Sequence, residues 1–309
     1  MNSAEAGAVL PSENLTDGAV FMDGEYLPIS EAKISMLDFG FTRSDTIYDV
    51  VHVWNGSFFR LEDHLERFFR SLSKAQMSIP YGRDELREIL LECVRRTGLK
   101  DVYVAVLCTR GLPPKGTRDP RQCVNRLYAY AVPFIWIATP EQREQGMHMF
   151  VASIPRTSSQ SVDPTIKNYN WRDMARGLFE AFEKGGETVV MLDPQGNVNE
   201  GPGFNIFAVI DGRVVTPASG VLEGITRKAV LELCEELEID AALTTLPADE
   251  LINADEIFIT STAGGLMSIT RINDRILGNG VPGPVTRKLT ALYWSKHDAG
   301  WHATPVDYR

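Results

Sequence analysis

The sequence predicts an α+β protein in two parts. Three observations carry this. Two apolar runs are broken by Asp23-Gly24 and Asn55-Gly56, pairs that favour tight hairpin turns. Longer segments between the strand-like runs repeat apolar residues at helical spacing. Strand and helix patterns seldom alternate in the regular order of a parallel sheet.

Residues 1–17 carry neither a basic start nor an apolar core of signal length, and disorder is expected there. Val20 to Ile29 reads as a first hairpin turning at Asp23-Gly24. Ile47 to Trp54 and Ser57 to Leu61 read as a second, turning at Asn55-Gly56. Between them Gly40 bends the segment 38–45. A helix is predicted over 62–77, with Leu65, Phe68, Phe69 and Leu72 as its apolar stripe and Arg67 and Arg70 at the margin. A second helix runs from Asp84, its expected N-cap, to Arg96. Val102 to Thr109 and Arg126 to Val132 are apolar strands. The loop 110–125 between them is rich in proline, glycine and positive charge, and a loop that long is usually functional or disordered.

Residues 135–146 read as a linker. The expected division is a smaller α/β domain at 18–134 and a larger domain at 147–309. Met147 to Ile154 is a strand, and a helix follows Lys167 until Gly185-Gly186 stops it. Strands are predicted at 187–192, 204–210, 214–216 and 256–262, and helices at 224–237 and 285–296.

The 309 residues hold 31 Lys and Arg against 41 Asp and Glu, a formal charge of −10. An acidic chain without a basic cluster argues against a nucleic-acid partner. Cys93, Cys108, Cys123 and Cys234 lie far apart and form no CxxC pair, so neither a metal nor a redox dithiol is expected. No apolar run reaches membrane-spanning length, and a soluble cytoplasmic protein is expected.

Lys167 sits at the centre of DPTIKNYNW, where an irregular segment hands over to a helix. Crowding by Tyr169 and Trp171 can desolvate its amine, lower its pKa and make it a nucleophile. Arg67 reads either as an anion clamp or as a stem lying on apolar neighbours. The helix start at GIT offers the N–H groups of Ile225 and Thr226 to an anion, or simply enters the helix. Ser261 and Thr262, in TSTAGG, form a second cradle or a plain polar turn. Glu200, among glycines in NEGPGF, is either a surface carboxylate or a buried partner for a heteroaromatic N–H. Lysine, arginine, two cradles and a carboxylate make the set a pyridoxal phosphate site needs.

The stretches SDTIYDVVHVWNG, FFRLEDHLERF, SVDPTIKNYNW, NEGPGFNIF, LEGITRK and TSTAGG extend this set along the chain. From about Val20 to Tyr308 the sequence resembles the fold-class-IV pyridoxal phosphate aminotransferases. Among these it is most similar to the (R)-selective amine transaminases. The resemblance implies a two-domain fold with pyridoxal 5'-phosphate between the domains. It implies Lys167 as the catalytic, cofactor-bonding lysine and Glu200 as the acid at the pyridine nitrogen. It implies Arg67, Ile225, Thr226, Ser261 and Thr262 as the phosphate cup. Tyr48 and Trp171 match aromatic residues beside the cofactor and substrate.

One departure matters. Arg43 stands where the amine transaminases often carry histidine, and an arginine can pair a substrate carboxylate. Arg118 fits the loop arginine of the amine transaminases better than Lys115 and Thr117 fit the D-amino acid enzymes. The resemblance implies transfer from an (R)-amine to a 2-oxo acid such as pyruvate. D-amino acid or branched-chain aminotransferase activity stays open, as does aminodeoxychorismate lyase activity. It also implies a homodimer with active sites at the subunit interface, the 110–125 loop reaching across from the neighbour.

Overall fold

A computed structural model describes residues 15–309. The expected disorder of 1–17 therefore falls mostly outside the described residues. Leu15 itself donates its N–H to the Arg96 carbonyl at 2.9 Å.

The first hairpin forms as read: β1 (Ala19–Met22) and β2 (Glu25–Pro28) pair across Asp23-Gly24. A single helical turn, α1 (Phe39–Thr42), follows, capped by Asp38, whose carboxylate accepts the Gly40 N–H at 2.7 Å. Then come β3 (Thr46–Trp54) and β4 (Ser57–Phe59), helices α2 (Leu61–Lys74) and α3 (Arg83–Thr97), and strands β5 (Val102–Leu112) and β6 (Val124–Pro133). The start of α3 corrects the expected cap. Gly82 occupies that position, and the Glu85 carboxylate accepts its N–H at 2.7 Å, leaving Asp84 in the first turn. The loop 110–125 is also shorter than expected. Both strands extend into it past an irregularity between Thr109 and Leu112, where Gly111 takes a φ of +84°. A Cβ at Gly111 would meet the Val124 carbonyl oxygen, so only glycine permits this pairing.

Helices α2 and α3 cover one face of this sheet. Leu65, Phe68, Leu72, Leu86 and Leu90 pack on Ile47, Val51, Val53, Val104 and Val106. Each such side chain contributes about 1.5–3 kcal/mol of burial. Period-two alternation sends Tyr48, Val50, Ala105, Leu107 and Tyr128 to the opposite face.

Helix α4 (Pro140–Gln145) lies inside the segment expected to be a linker; Thr139 caps it and accepts the Gln142 N–H. Beyond it the chain adds β7 (Met147–Pro155), α5 (Arg172–Glu183), β8 (Thr188–Leu192), β9 (Asn205–Ile210), β10 (Arg213–Pro217) and α6 (Ile225–Glu236). Next are β11 (Ala241–Thr244), α7 (Ala248–Asn253), β12 (Glu256–Ser261), β13 (Gly265–Ile272), β14 (Arg275–Ile276), α8 (Pro284–Asp298) and β15 (Ala303–Pro305).

The first sheet runs β15-β4-β3-β5-β6-β1-β2 and is antiparallel throughout. The second runs β11-β10-β9-β12-β13-β7-β8 and is mixed. Two strand–helix–strand units with parallel pairing occur in it, β7-α5-β8 and β10-α6-β11. Its two faces bury separate cores. Ile206, Ala208, Ile257 and Ile259 pack with Met147, Met149 and Leu251. Phe207, Val209 and Phe258 pack under Leu233 of α6 and Leu289 and Tyr293 of α8. The last strand, β15, returns to the first sheet and pairs with β4.

Candidate active site

A cavity of about 550 Å³ is lined by residues of both sheets and of the segment before α5. Lys167 reaches it because its segment is stitched to the first sheet. The Tyr48 N–H donates to the Lys167 carbonyl at 2.9 Å, and Ile47 bridges Asn168. On β3, strand β4 pairs only with Val53 and Trp54, which leaves the Ile47–Tyr48 end of that edge open to receive the segment. Asn168 tightens the turn: its amide donates to the Ile166 carbonyl at 2.7 Å and its Oδ1 accepts the Asn170 N–H at 2.9 Å.

The Lys167 amine lies 4.5 Å from the centre of the Tyr48 ring. Among the described residues it has no hydrogen-bond or ion-pair partner. Burial, and then the positive charge of Arg67, brings its pKa down to about 8, against the opposing pull of Asp49 and Glu200. Such an amine has a substantial neutral, nucleophilic fraction near neutral pH. Burial, with Asp49 adding to it, raises the Tyr48 phenol well above its ordinary range, so Tyr48 is neutral.

Arg67 is 3% exposed, on the inner side of α2. Asp49, next to Tyr48 on β3, accepts from its Nε and Nη2, and Nη1 donates to the Glu223 carbonyl at 3.1 Å. His64, one turn earlier on α2, places its Nδ1 2.8 Å from the same carboxylate. This fixes the fork, and Arg67 lines the cavity.

Glu200 is 6% exposed and accepts the Leu222 N–H at 2.9 Å. Burial raises its pKa, opposed by that N–H and by Arg156 and Lys167. The following turn takes glycine because of its backbone conformation. Gly203 has a φ of +82°, and a Cβ there would sit 3.3 Å from the Trp171 ring.

Helix α6 starts at the cavity, and the N–H groups of Ile225 and Thr226 have no partner within the helix. Ser261 and Thr262 line the cavity at the end of β12. The Ser261 hydroxyl donates to the Gly203 carbonyl at 2.9 Å, tying the glycine turn to β12. The structure thus brings Lys167, Arg67, Glu200, Ile225, Thr226, Ser261, Thr262, Tyr48 and Trp171 to one cavity.

Arg43 and Arg118 are not among them. Both are exposed, and the Arg43 guanidinium stacks over Phe39 at 3.5 Å. Their segments are fastened together away from the cavity lining. Asp38 accepts from the Thr109 hydroxyl at 2.9 Å and the Gly111 N–H at 3.2 Å, and Arg110 pairs with Asp45 at 2.8 Å. A carboxylate bound at this cavity receives neither arginine from the same chain.

Sequence reasoning missed Asp49, His64, Arg156, Tyr103 and Tyr130. Asp49 carried a signal, a lone carboxylate inside an apolar strand. Arg156, just past the end of β7, carried none. No group of three or more His, Cys, Asp or Glu placed to hold a metal occurs among the described residues.

The donor set fits a phosphorylated aromatic aldehyde. It offers an unpaired amine, an arginine fork beside free helix N–H groups, and a buried carboxylate. The buried Thr260 Oγ1 and Arg156 Nε lack protein partners, and both residues line the cavity.

The model of the amino-transferase class IV family matches residues 46–272. A putative branched-chain-amino-acid aminotransferase of Methanocaldococcus jannaschii is 30% identical over 87% of this chain and 93% of its own. A D-alanine aminotransferase of Bacillus licheniformis is 30% identical over 88% of this chain and 95% of its own. The crystal structure of the branched-chain amino acid aminotransferase from Thermobaculum terrenum in its PLP form superposes with a TM-score of 0.85. It is 27% identical, and the match covers 96% of this chain and 99% of that one.

Proposed function

The chain belongs to the class IV aminotransferase family, and from that premise we propose that it moves an amino group from an (R)-amine to a 2-oxo acid such as pyruvate. Its cofactor is pyridoxal 5'-phosphate, which when bound supplies a reactive aldehyde carbon and an electron-withdrawing ring.

In this reading Lys167 would attach the cofactor through its amine and would hold and return a proton at the substrate carbon. Its lowered pKa suits both tasks, because a base poised near the working pH accepts and returns a proton with little cost. Glu200 faces the ring nitrogen and holds it protonated. Arg67 and the N–H groups of Ile225 and Thr226 hold the phosphate, with Ser261 and Thr262 closing the cup. Tyr48 and Trp171 frame the substrate.

One observation suits a neutral arylalkyl amine as donor. The cations lining the cavity are Arg67, Arg156 and Lys167. Both arginines already pair with carboxylates, Arg67 with Asp49 and Arg156 with Asp173 and Glu200. Much of the remaining wall is aromatic or aliphatic, with Tyr103, Tyr130, Ile135, Ile137 and Leu178. A neutral arylalkyl group suits it. The carboxylate of the oxo acid then requires Arg118, with Arg43 as a second candidate, from a second copy in a homodimer. The four free thiols suit a reducing, cytoplasmic setting.

The second reading is an amino acid donor, favoured by the relatives named branched-chain and D-alanine aminotransferases. A donor panel decides, with pyruvate as acceptor for the amines and L-leucine and 2-oxoglutarate for D-alanine, which with pyruvate would only regenerate the same pair. (R)-1-Phenylethylamine should turn over and its (S) enantiomer should be nearly inert. L-Leucine or D-alanine as best donor by a wide margin would replace the first reading with the second. Product release without an oxo-acid acceptor would indicate a lyase.

A further inference from the structure

We propose that Arg156 is a positioning residue for Glu200, and that Asp173 sets how much of its charge reaches that carboxylate. The three side chains form a row, with Glu200 buried and Arg156 and Asp173 partly buried. Arg156 Nη1 lies 2.6 Å from Asp173 Oδ2, and Nη2 lies 3.3 Å from Glu200 Oε1. The fork is therefore drawn tightly to Asp173 and more loosely to Glu200. Asp173 is further held by the N–H groups of Thr157 at 2.7 Å and Met174 at 2.8 Å. The backbone N–H of Arg156 donates to the Leu192 carbonyl at 2.7 Å, which fixes where the side chain starts.

A carboxylate as buried as Glu200 takes up a proton unless a cation or several donors stabilise its charge. Among the described residues its hydrogen-bond donors are Leu222 and Arg156. Arg156 is thus the charged hydrogen-bond donor to Glu200: it favours the ionised form, with the Lys167 charge adding to it, and aims one of its oxygens. Asp173 opposes this by neutralising part of the same guanidinium. Opposite signs follow. Removing the Arg156 charge should favour neutral Glu200, and removing the Asp173 charge should favour ionised Glu200. A merely structural triad would lose function in the same direction from either change.

This inference rests on the reading of Glu200 as the partner of the ring nitrogen. It is tested on the cofactor-free protein by comparing two ligands. One is pyridoxal phosphate. The other is its 1-deaza analogue, with C–H in place of the ring nitrogen. A charge-assisted hydrogen bond at the nitrogen should make wild type prefer pyridoxal phosphate by about 10- to 150-fold. Arg156→Met should collapse the preference to about twofold, the scatter of independent effects. Asp173→Asn should retain or increase it.

If Arg156→Met keeps the wild-type preference, or if Asp173→Asn lowers it as Arg156→Met does, the proposal is overturned. Should Arg156→Met not fold, Arg156→Lys decides with Asp173→Asn. Lysine keeps the charge, so it should keep most of the preference, and its complete loss there would count against the role of charge. Glu200→Gln separates the two readings. If it leaves the wild-type preference intact, Glu200 is not the ring-nitrogen partner. If it abolishes the preference while Arg156→Met does not, only the role of Arg156 is wrong.

Discussion

Asp49 accepts two hydrogen bonds from the Arg67 guanidinium, at 2.8 Å from Nε and 2.7 Å from Nη2. The pair joins the middle of β3 to the inner face of α2, directly under the cavity. Burial alone would raise the Asp49 pKa, but the charge and hydrogen bonds of Arg67, with His64 adding to them, hold it well below the usual carboxylate range. Arg67 is therefore aimed before any ligand arrives, which lowers the entropic cost of binding an anion.

Asp49→Asn should weaken binding of pyridoxal phosphate to the cofactor-free protein by about tenfold or more, the worth of a charge-assisted hydrogen bond. Stability should fall by about 3–5 kcal/mol, because the Arg67 charge is left buried without its counter-ion. Fluorescence titration and denaturant unfolding measure the two effects. The pH sign follows from the depressed pKa. The contribution of Asp49 is fully present above the ordinary carboxylate value and is lost only as pH falls through the lower folded one. Unchanged cofactor affinity in Asp49→Asn would show that Arg67 is not oriented by this contact.

Lys167→Ala should remove covalent attachment of the cofactor and reduce turnover by several orders of magnitude, since nucleophile and proton carrier vanish together. Absorbance and steady-state rates report this. In the cofactor-free wild type, labelling of Lys167 by an amine-directed reagent should rise with pH through about 8 rather than 10.5. The stability sign is also set. Between those values the unfolded chain binds more protons than the folded one, so stability contributed by this group grows with rising pH. Labelling that follows an ordinary lysine would remove the case for a poised amine.

Arg118→Ala should raise the apparent KM for pyruvate by roughly 10- to 150-fold. The half-reaction with a neutral arylalkyl amine should change far less. Because Arg118 is exposed and does not line the cavity of its own chain, the effect requires a second copy. Sedimentation at assay concentration should show a dimer. Equal slowing of both half-reactions would assign Arg118 to assembly or folding, and a fully active monomer would dismiss the contribution from a neighbour.

Gly203→Ala should cost about 1–2 kcal/mol, because an L side chain is strained at a φ of +82°. The added methyl would also press on Trp171 at 3.3 Å. Thermal unfolding reads the first effect and tryptophan fluorescence the second. Wild-type values for both would mean that the turn relaxes freely.

Local chemistry made much of the fold legible. Asp23-Gly24 and Asn55-Gly56 specify their hairpins within a few residues, and Leu65, Phe68 and Leu72 mark the buried stripe of α2. Strand β13 escaped because its start, Gly264-Gly265, reads as loop and its hydroxyl residues interrupt the apolar pattern. It is a strand because β12 and β7 both pair with it, a condition set by distant parts of the chain. The site divides in the same way. Lys167, Glu200 and the α6 start stand in distinctive local stretches. Arg156 and Asp49 matter through partners that sequence distance hides: Arg156 meets Glu200, and Asp49 meets Arg67, only after folding. Arg43 and Arg118 lie outside the cavity of their own chain, and for Arg118 that accords with a loop expected to reach across from a neighbour.

The bond from the Tyr48 amide to the Lys167 carbonyl ties the first sheet to the segment leading into α5. It gives the site a clock. Any motion that pulls this segment off β3 must break that bond and free the amide. Its hydrogen-exchange rate therefore counts the openings that part the segment from the first sheet. Motions that leave it protected must admit substrate by another route, such as a shift of residues 135–139 alone.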